Sequence, residues 1–229
     1  MISEYEASLP RGAWPNWVLG NHDRSRIASR VGAAQARVAA VLLCTLRGTP
    51  TLYYGDELGT ADVPIPPEAV QDPYEKNVPG LGLGRDPART PMQWSAAPHA
   101  GFSSARPWLP VAADFERNNV ERQRQDPDSL LSLYRALLSL RRARPALCLG
   151  TYRPLETGPH VLGYERVHGV QRDAVLLNLS DENQRVALVE GDDARVLLST
   201  HPGRFGGRFG ARLDPNEAVV LALSDEPDE

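Results

Sequence analysis

Three polar side chains stand in a row at Asn21, His22 and Asp23, directly after the apolar run that ends at Gly20 in WPNWVLGNHDRSR. They offer an amide, an imidazole that exchanges protons near neutrality, and a carboxylate acceptor. At the C-terminal end of a strand, such groups occupy the place where barrels and open α/β folds keep their chemistry. The plain alternative is a strand ending in a polar turn, since Asn and Asp are ordinary turn residues. Asp56 and Glu57 form a second acidic pair with the residue types for acid/base work. Neighbours on a strand point to opposite faces, so this pair cannot easily share a substrate. Cys44 and Cys148 lie in apolar segments with no partner at metal-ligand spacing, and read as buried thiols.

The elements that must position Asn21–Asp23 follow from pattern. Val18 and Leu19 behind Trp14 and Trp17 suit a buried strand, which Gly20 lets the chain leave. SRVGAAQARVAAVLLCTLRGTP predicts a helix from about Ala33 to Leu46, stopped by Gly48 and Pro50. TLYYG, Thr51–Gly55, reads as a short aromatic strand. Strand, helix, strand makes a βαβ unit, with parallel strands and a right-handed crossover. Pro64, Pro66, Pro67, Pro73 and Pro79 exclude helix or central strand between Asp62 and Gly84. A long ordered loop of this kind is functional or a linker.

DPDSLLSLYRALLSLRRARP predicts the clearest helix, with Asp126 as cap and Pro127 at its first position. Leu130, Leu133, Tyr134, Leu137 and Leu138 form its apolar stripe, and Arg141, Arg142 and Arg144 finish it before Pro145. From about Leu147, CLGTYRPL, HVLGYERV, DAVLLNLS, QRVALV, ARVLLS and EAVVLALS are candidate strands at a spacing that suggests a small antiparallel sandwich. The duplicated GRFGGRFG, Gly203–Gly210, reads as a hairpin loop rather than an RNA-binding segment.

The 229 residues carry 41% hydrophobic and 24% charged side chains, an ordinary globular balance. A net charge of −4 gives no basic field for nucleic acid or an anionic membrane, and neither is expected as a partner. No run of 18 apolar residues and no charged-then-apolar leader pattern is present, which points to a cytoplasmic protein.

NHD at a strand end, GTPTLYYGDELG, and GRDPARTPMQW followed by AGFS closely resemble, in this order, the alpha-glucosidase branch of the alpha-amylase family, glycoside hydrolase family 13. The resemblance is dense from Trp14 to Phe102 and architectural beyond Leu147. It implies an α/β plus all-β chain, the last strands and helices of a (β/α)8 barrel followed by an antiparallel β-sandwich. Residues 1–145 would be the C-terminal portion of the catalytic barrel and 146–229 the β domain. Trp14–Gly20 would be barrel strand seven, Thr51–Gly55 strand eight, and the helix from Asp126 the last barrel helix.

The family cleaves α-glucosidic bonds with retention, which takes a nucleophile and an acid carboxyl about 5–5.5 Å apart. The resemblance makes Asp23 the third family carboxylate, an acceptor for glucose hydroxyls that strengthens as the ring gains positive charge. It makes His22 a donor to the same hydroxyls, Asn21 the residue that shapes their turn, and Arg89 the arginine at the outer rim of a terminal glucose. Arg85 and Arg26 are the rivals to Arg89, and structural pairing is the expectation for both. No metal ligands and no cofactor are expected of this chain.

By the same resemblance the nucleophile and general acid belong to strands four and five, upstream of Met1. The missing N-terminal half of the barrel is thus an expected partner, beside a small oligosaccharide or disaccharide substrate. Three readings stand open: part of an alpha-glucosidase; an enzyme that rearranges a disaccharide, as trehalose synthase and sucrose isomerase do; or a non-catalytic chain that binds carbohydrate or a partner.

Overall fold

The computed structural model describes residues 1–186 and 194–224. Its chain groups into two compact units, one of Met1–Trp17, Arg37–Thr51 and Tyr134–Glu229, the other of Val18–Ala36 and Leu52–Leu133.

Helix α1 (Ile2–Ser8) precedes strand β1 (Asn16–Val18), helix α2 (Ile27–Thr45) and strand β2 (Thr49–Thr51), and the first unit takes α1, β2 and the half of α2 from Arg37 onward. β1 and β2 pair, in the expected strand, helix, strand order. Both strands are shorter than the apolar run predicts, and they are not buried: Asn16, Val18, Thr49 and Thr51 are exposed. Each has one strand neighbour among the described residues, so its other edge stays open. Trp17 is the inward side chain, anchored by its Nε1–H donating to the Arg47 carbonyl at 2.6 Å.

Helix α2 begins earlier than expected, because one turn forms before Gly32, whose backbone (φ 79°, ψ 163°) breaks the helix. Beyond that break Val38, Ala40, Val41, Leu43 and Cys44 are buried. α2 is long and apolar enough by composition to cross a membrane. The buried face after Gly32 is that of a core helix. Its C-terminal carbonyls are capped from far away: Arg141 donates to those of Cys44, Leu46 and Gly48, and Arg166 to that of Thr45. Both guanidiniums are buried on carbonyl oxygens, a favourable place for cations at the negative end of a helix.

Short helices α3 (Pro73–Asn77) and α4 (Val120–Gln123) belong to the second unit, and α5 (Leu130–Ala143) and α6 (Pro145–Leu149) follow. The cap of α5 is Ser129 rather than Asp126: the Ser129 hydroxyl accepts the Ser132 N–H at 3.1 Å. Asp126 instead closes a separate turn, its carboxylate accepting the Asp128 N–H at 2.9 Å. Leu130, Leu133, Tyr134 and Leu137 are buried as the stripe requires, whereas Leu138, expected in it, is exposed.

The β region is antiparallel, as the turn spacing predicts. β3 (Thr151–Leu155), β4 (Val161–His168), β5 (Gln171–Asn178), β7 (Arg195–Ser199) and β9 (Ala218–Ser224) form one sheet in the order β3-β4-β5-β9-β7. β6 (Gln184–Arg185) and β8 (Arg212–Leu213) make a two-stranded ribbon, so the second layer is smaller than a full sandwich sheet among the described residues. The expected strand QRVALV starts at β6, and Ala187–Val189 lie outside the described residues. Val186, Phe209 and Leu213 pack with Ala174, Leu176, Val219 and Leu221 into one core. The duplicated tetrapeptide is a loop with two fates: Phe209 is buried, whereas Phe205 is 80% exposed. Its middle lines the edge of β7, where Gly206 and Gly207 exchange backbone hydrogen bonds with Val196.

Candidate active site

The second unit starts at Val18 and holds all of the residues singled out for chemistry. Asn21, His22 and Asp23 form a turn after β1, in which the Asn21 side-chain oxygen accepts the Asp23 N–H at 2.9 Å. That is the turn-shaping bond expected of Asn21. Asp23 is half exposed, and three cationic or polar donors converge on it. Arg85 Nη1 and Arg89 Nη2 each lie 3.1 Å from Oδ1, and His22 Nε2 lies 3.4 Å from Oδ2. Arg89 also donates from Nε to the His22 carbonyl at 2.9 Å, so it holds both the backbone and the carboxylate of the turn. Partial desolvation pushes the Asp23 carboxyl upward. The hydrogen bond from Arg85 and the charges of His22, Arg85 and Arg89 outweigh it, and the pKa lies below the usual carboxylate value.

Arg85 makes the structural ion pair expected of it and also reaches Asp23. It bridges Asp23 and the buried Asp72, reaching Asp72 with Nε at 2.7 Å and Nη2 at 3.1 Å, and it lies 4.9 Å from the Tyr74 ring. Asp72 also caps α3 through the Tyr74 N–H at 3.0 Å and accepts the Arg85 N–H at 2.7 Å. These bonds, led by the one from Arg85, hold its carboxyl far below the ordinary value. The proline-rich segment is thus an ordered loop, pinned at Asp72 and at Asp86, whose carboxylate accepts the Gln71 and Asp72 N–H groups. Asp72 and the second role of Arg85 escape sequence reasoning. The available signals are the Asp-Pro cap pattern at Asp72 and the four-residue spacing of Arg85 and Arg89 across the turn Asp86–Ala88. Arg26 meets its structural expectation in another way: it is buried, donates to the Tyr54 carbonyl at 2.6 Å, and stacks on Tyr53 and Tyr54.

The segment expected as strand eight ends at Thr51, and Leu52–Gly55 leaves the ladder. The Tyr53 and Tyr54 hydroxyls instead donate to the Ala88 and Thr90 carbonyls at 3.1 and 2.8 Å. Gly55 then turns left-handed (φ 87°), and a single 3-10 turn carries Asp56 and Glu57. The pair is therefore separated by a turn, not by strand alternation. Glu57 accepts the Gly55 N–H at 2.8 Å. Asp56 is 1% exposed, and neither of its oxygens has a hydrogen-bond partner. Burial pushes its carboxyl up to about 6, against the opposing charge of Arg26.

The far side of Arg89 lines a cavity of about 460 Å³ with Tyr54, Glu57, Trp94, Phe102 and Trp108. A second cavity, about 650 Å³, lies within the proline-rich loop beside Glu75, Lys76 and Asp86. Among the described residues one cluster has metal-ligand spacing, His201, Asp214 and Glu217 in the β region. A guanidinium already supplies the positive charge there: Arg204 stands 3.4 Å from Asp214 and 3.3 Å from Glu217. Cys44 is buried, Cys148 is half-buried, and both thiols are free.

Residues 1–150 match the model of the alpha-amylase catalytic domain. The chain belongs to the alpha-amylase family. Among curated relatives, a probable alpha-glucosidase of Rhizobium meliloti is 39% identical over 188 residues, covering 80% of this chain and 34% of its own. An oligo-1,6-glucosidase of Bacillus cereus is 29% identical, covering 97% of this chain and 45% of its own. An amino acid transporter heavy chain of Rattus norvegicus is 32% identical, covering 97% of this chain and 33% of its own. Of solved structures, the trehalulose synthase of Pseudomonas mesoacidophila superposes with a TM-score of 0.85 at 29% identity, over 96% of this chain and 45% of that one. An alpha-glucosyl transfer enzyme gives 0.84 at 35% identity, over 96% and 42%. The chain thus spans a third to just under a half of the length of these relatives.

Proposed function

We propose that this chain is the part of a retaining alpha-glucosidase that grips the glucose hydroxyls, with Asp23 as the carboxylate that acts in the transition state. The observation that carries this is the convergence of Arg85, Arg89 and His22 on Asp23 at the end of β1. Two guanidiniums keep the carboxylate ionised, and half of it remains open to a ligand. A charged acceptor in that position gains strength as the sugar ring gains positive charge, which lowers the barrier more than it tightens ground-state binding. His22 donates to the same hydroxyls, and Arg89 sets the rim.

The nucleophile and the general acid come, on this reading, from polypeptide that the relatives carry beyond the shared portion. Residues 1–145 are then barrel and 146–229 the β domain. This division is supported by the family match to residues 1–150 and by the antiparallel sheet that begins at Thr151. A cytoplasmic location belongs to the same proposal, supported by the two free thiols.

The test has two arms. Alone, the chain releases no nitrophenol from a nitrophenyl α-glucoside; turnover at enzyme-like rates overturns the division of carboxylates. Assembled with the rest of a barrel, Asp23→Asn lowers kcat about a thousandfold or more and leaves KM within about tenfold. A change in KM alone returns Asn21–Asp23 to a polar turn.

Likeness to a trehalulose synthase and a glucosyl transfer enzyme favours a second reading, transfer of glucose to a sugar hydroxyl instead of water. Products formed from sucrose by the assembled protein decide between the two. The match to a transporter heavy chain over 97% of this chain favours a third, non-catalytic reading, which predicts no turnover in any assembly.

A further inference from the structure

Gly20 precedes the Asn21–Asp23 turn, and a glycine there has no conformational cause: its backbone lies in the ordinary region open to any residue. Space is the cause. A methyl group on Gly20 would stand 2.9 Å from Asp56 Oδ1 and 3.0 Å from Cγ, and closer still to Oδ2. Such separations are well inside van der Waals contact. The carboxyl group of Asp56 thus fills the place where a side chain of residue 20 would be. It is buried, unpaired by any hydrogen bond, and held on a turn that Gly55 begins and the Gly59 N–H closes onto the Asp56 carbonyl at 3.1 Å. Buried polar atoms without partners cost stability, so their persistence at one spot calls for a reason.

We propose that Asp56 is a positioning residue: its side chain, packed against the Cα of Gly20, fixes the direction in which Asn21, His22 and Asp23 leave β1. The contact is one of two supports of the backbone that leads into the turn. The other is Arg30, which donates to the Leu19 carbonyl one residue before Gly20. Together they hold the backbone from below, while Arg89 holds it at the His22 carbonyl. Its relevance to catalysis rests on the reading of Asp23 above, whereas the packing itself does not.

Amide hydrogen exchange of residues 21–23 tests the packing, with the β4 and β5 amides as an internal measure of global opening. Gly20→Ala and Asp56→Ser, each alone, accelerate exchange at 21–23 about tenfold relative to the sheet. The double variant returns most of the way to native rates, because the new methyl occupies the space the carboxyl leaves. Asp56→Asn, which keeps the shape, leaves the local rates within about twofold and guards against loss of folding in the other variants. Additive effects in the double variant, or equal acceleration in the sheet, overturn the proposal. If the packing holds but Asp23→Asn is kinetically silent in the assembled protein, the catalytic reading fails and the brace stands.

Discussion

In the five-stranded sheet Ala174, Val175, Leu176 and Leu177 of β5 and Val219, Val220 and Leu221 of β9 are fully buried, and apolar contact carries the order. Around Asp23 the order is carried by charge. Arg85 and Arg89 tie Asp23 to the turn Asp86–Ala88 and to Asp72, on a loop whose Leu81 and Leu83 are largely exposed. Burial is not screened by salt as charges are, and falls off steeply when atoms are removed. Ion pairs and carboxylate caps respond to pH, to ionic strength and to the loss of one partner. A site that must accept a polar ligand is built from the second kind of material, and its geometry is correspondingly easier to perturb.

The contrast breaks first in the sheet. Leu176→Ala removes a fully buried side chain from the β5–β9 core and costs about 3–4 kcal/mol in urea unfolding, equally at pH 5 and pH 8. Asp72→Ala costs about 2–3 kcal/mol, confined to the loop, and appears as faster exchange of the Tyr74 and Arg85 amides that it caps. That cost depends on pH. The folded pKa of Asp72 is depressed, so its stabilisation is complete above the unfolded value near 4 and is lost as pH falls through the lower folded value. At pH 7 the full difference between native and variant is present; it narrows on acidification below 4.

Asp56 gives the opposite sign. Its folded pKa of about 6 lies above the unfolded value, so the folded chain binds the proton more tightly, and stability falls as pH rises through that window. Arg26, Arg30 and Glu57 are the charges that bear on it. Asp56→Asn therefore raises stability by about 2 kcal/mol at pH 7.5 and by nearly nothing at pH 3.5, read from melts at the two pH values. The smallest effect belongs to the first copy of the repeated tetrapeptide. Phe205→Ser, at an exposed loop position, changes stability by less than about 0.5 kcal/mol, whereas Phe209→Ser in the second copy costs several times more.

What the sequence disclosed and what it hid divide along the same line. The stripe of α5 and the strands β3, β4, β5, β7 and β9 were legible because apolar periodicity is local and burial enforces it. The Asn21–Asp23 turn was legible from its place after an apolar run. The role of Tyr53 and Tyr54 was not, because residues that suit a strand serve here as hydroxyl donors to the carbonyls of Ala88 and Thr90. Asp126 and Ser129 both have cap chemistry, and a choice between them depends on a turn that only the folded chain shows. Structural pairing of Arg85 was legible, but its two carboxylate partners, 13 and 62 residues away in sequence, were not. The burial of Asp56 beside Gly20 depends wholly on tertiary packing.

The remote capping of α2 has a consequence in time. Arg166 is 121 residues downstream of the Thr45 carbonyl it covers. At ordinary synthesis rates the ribosome takes roughly 6 to 24 s to make that stretch. Throughout that interval the Thr45 carbonyl lacks the guanidinium that covers it in the folded chain. Arg141, made first, covers the carbonyls of Cys44, Leu46 and Gly48 before Arg166 arrives. If each cap forms once its arginine is available, the helix end closes in two instalments, Arg141 first and Arg166 second.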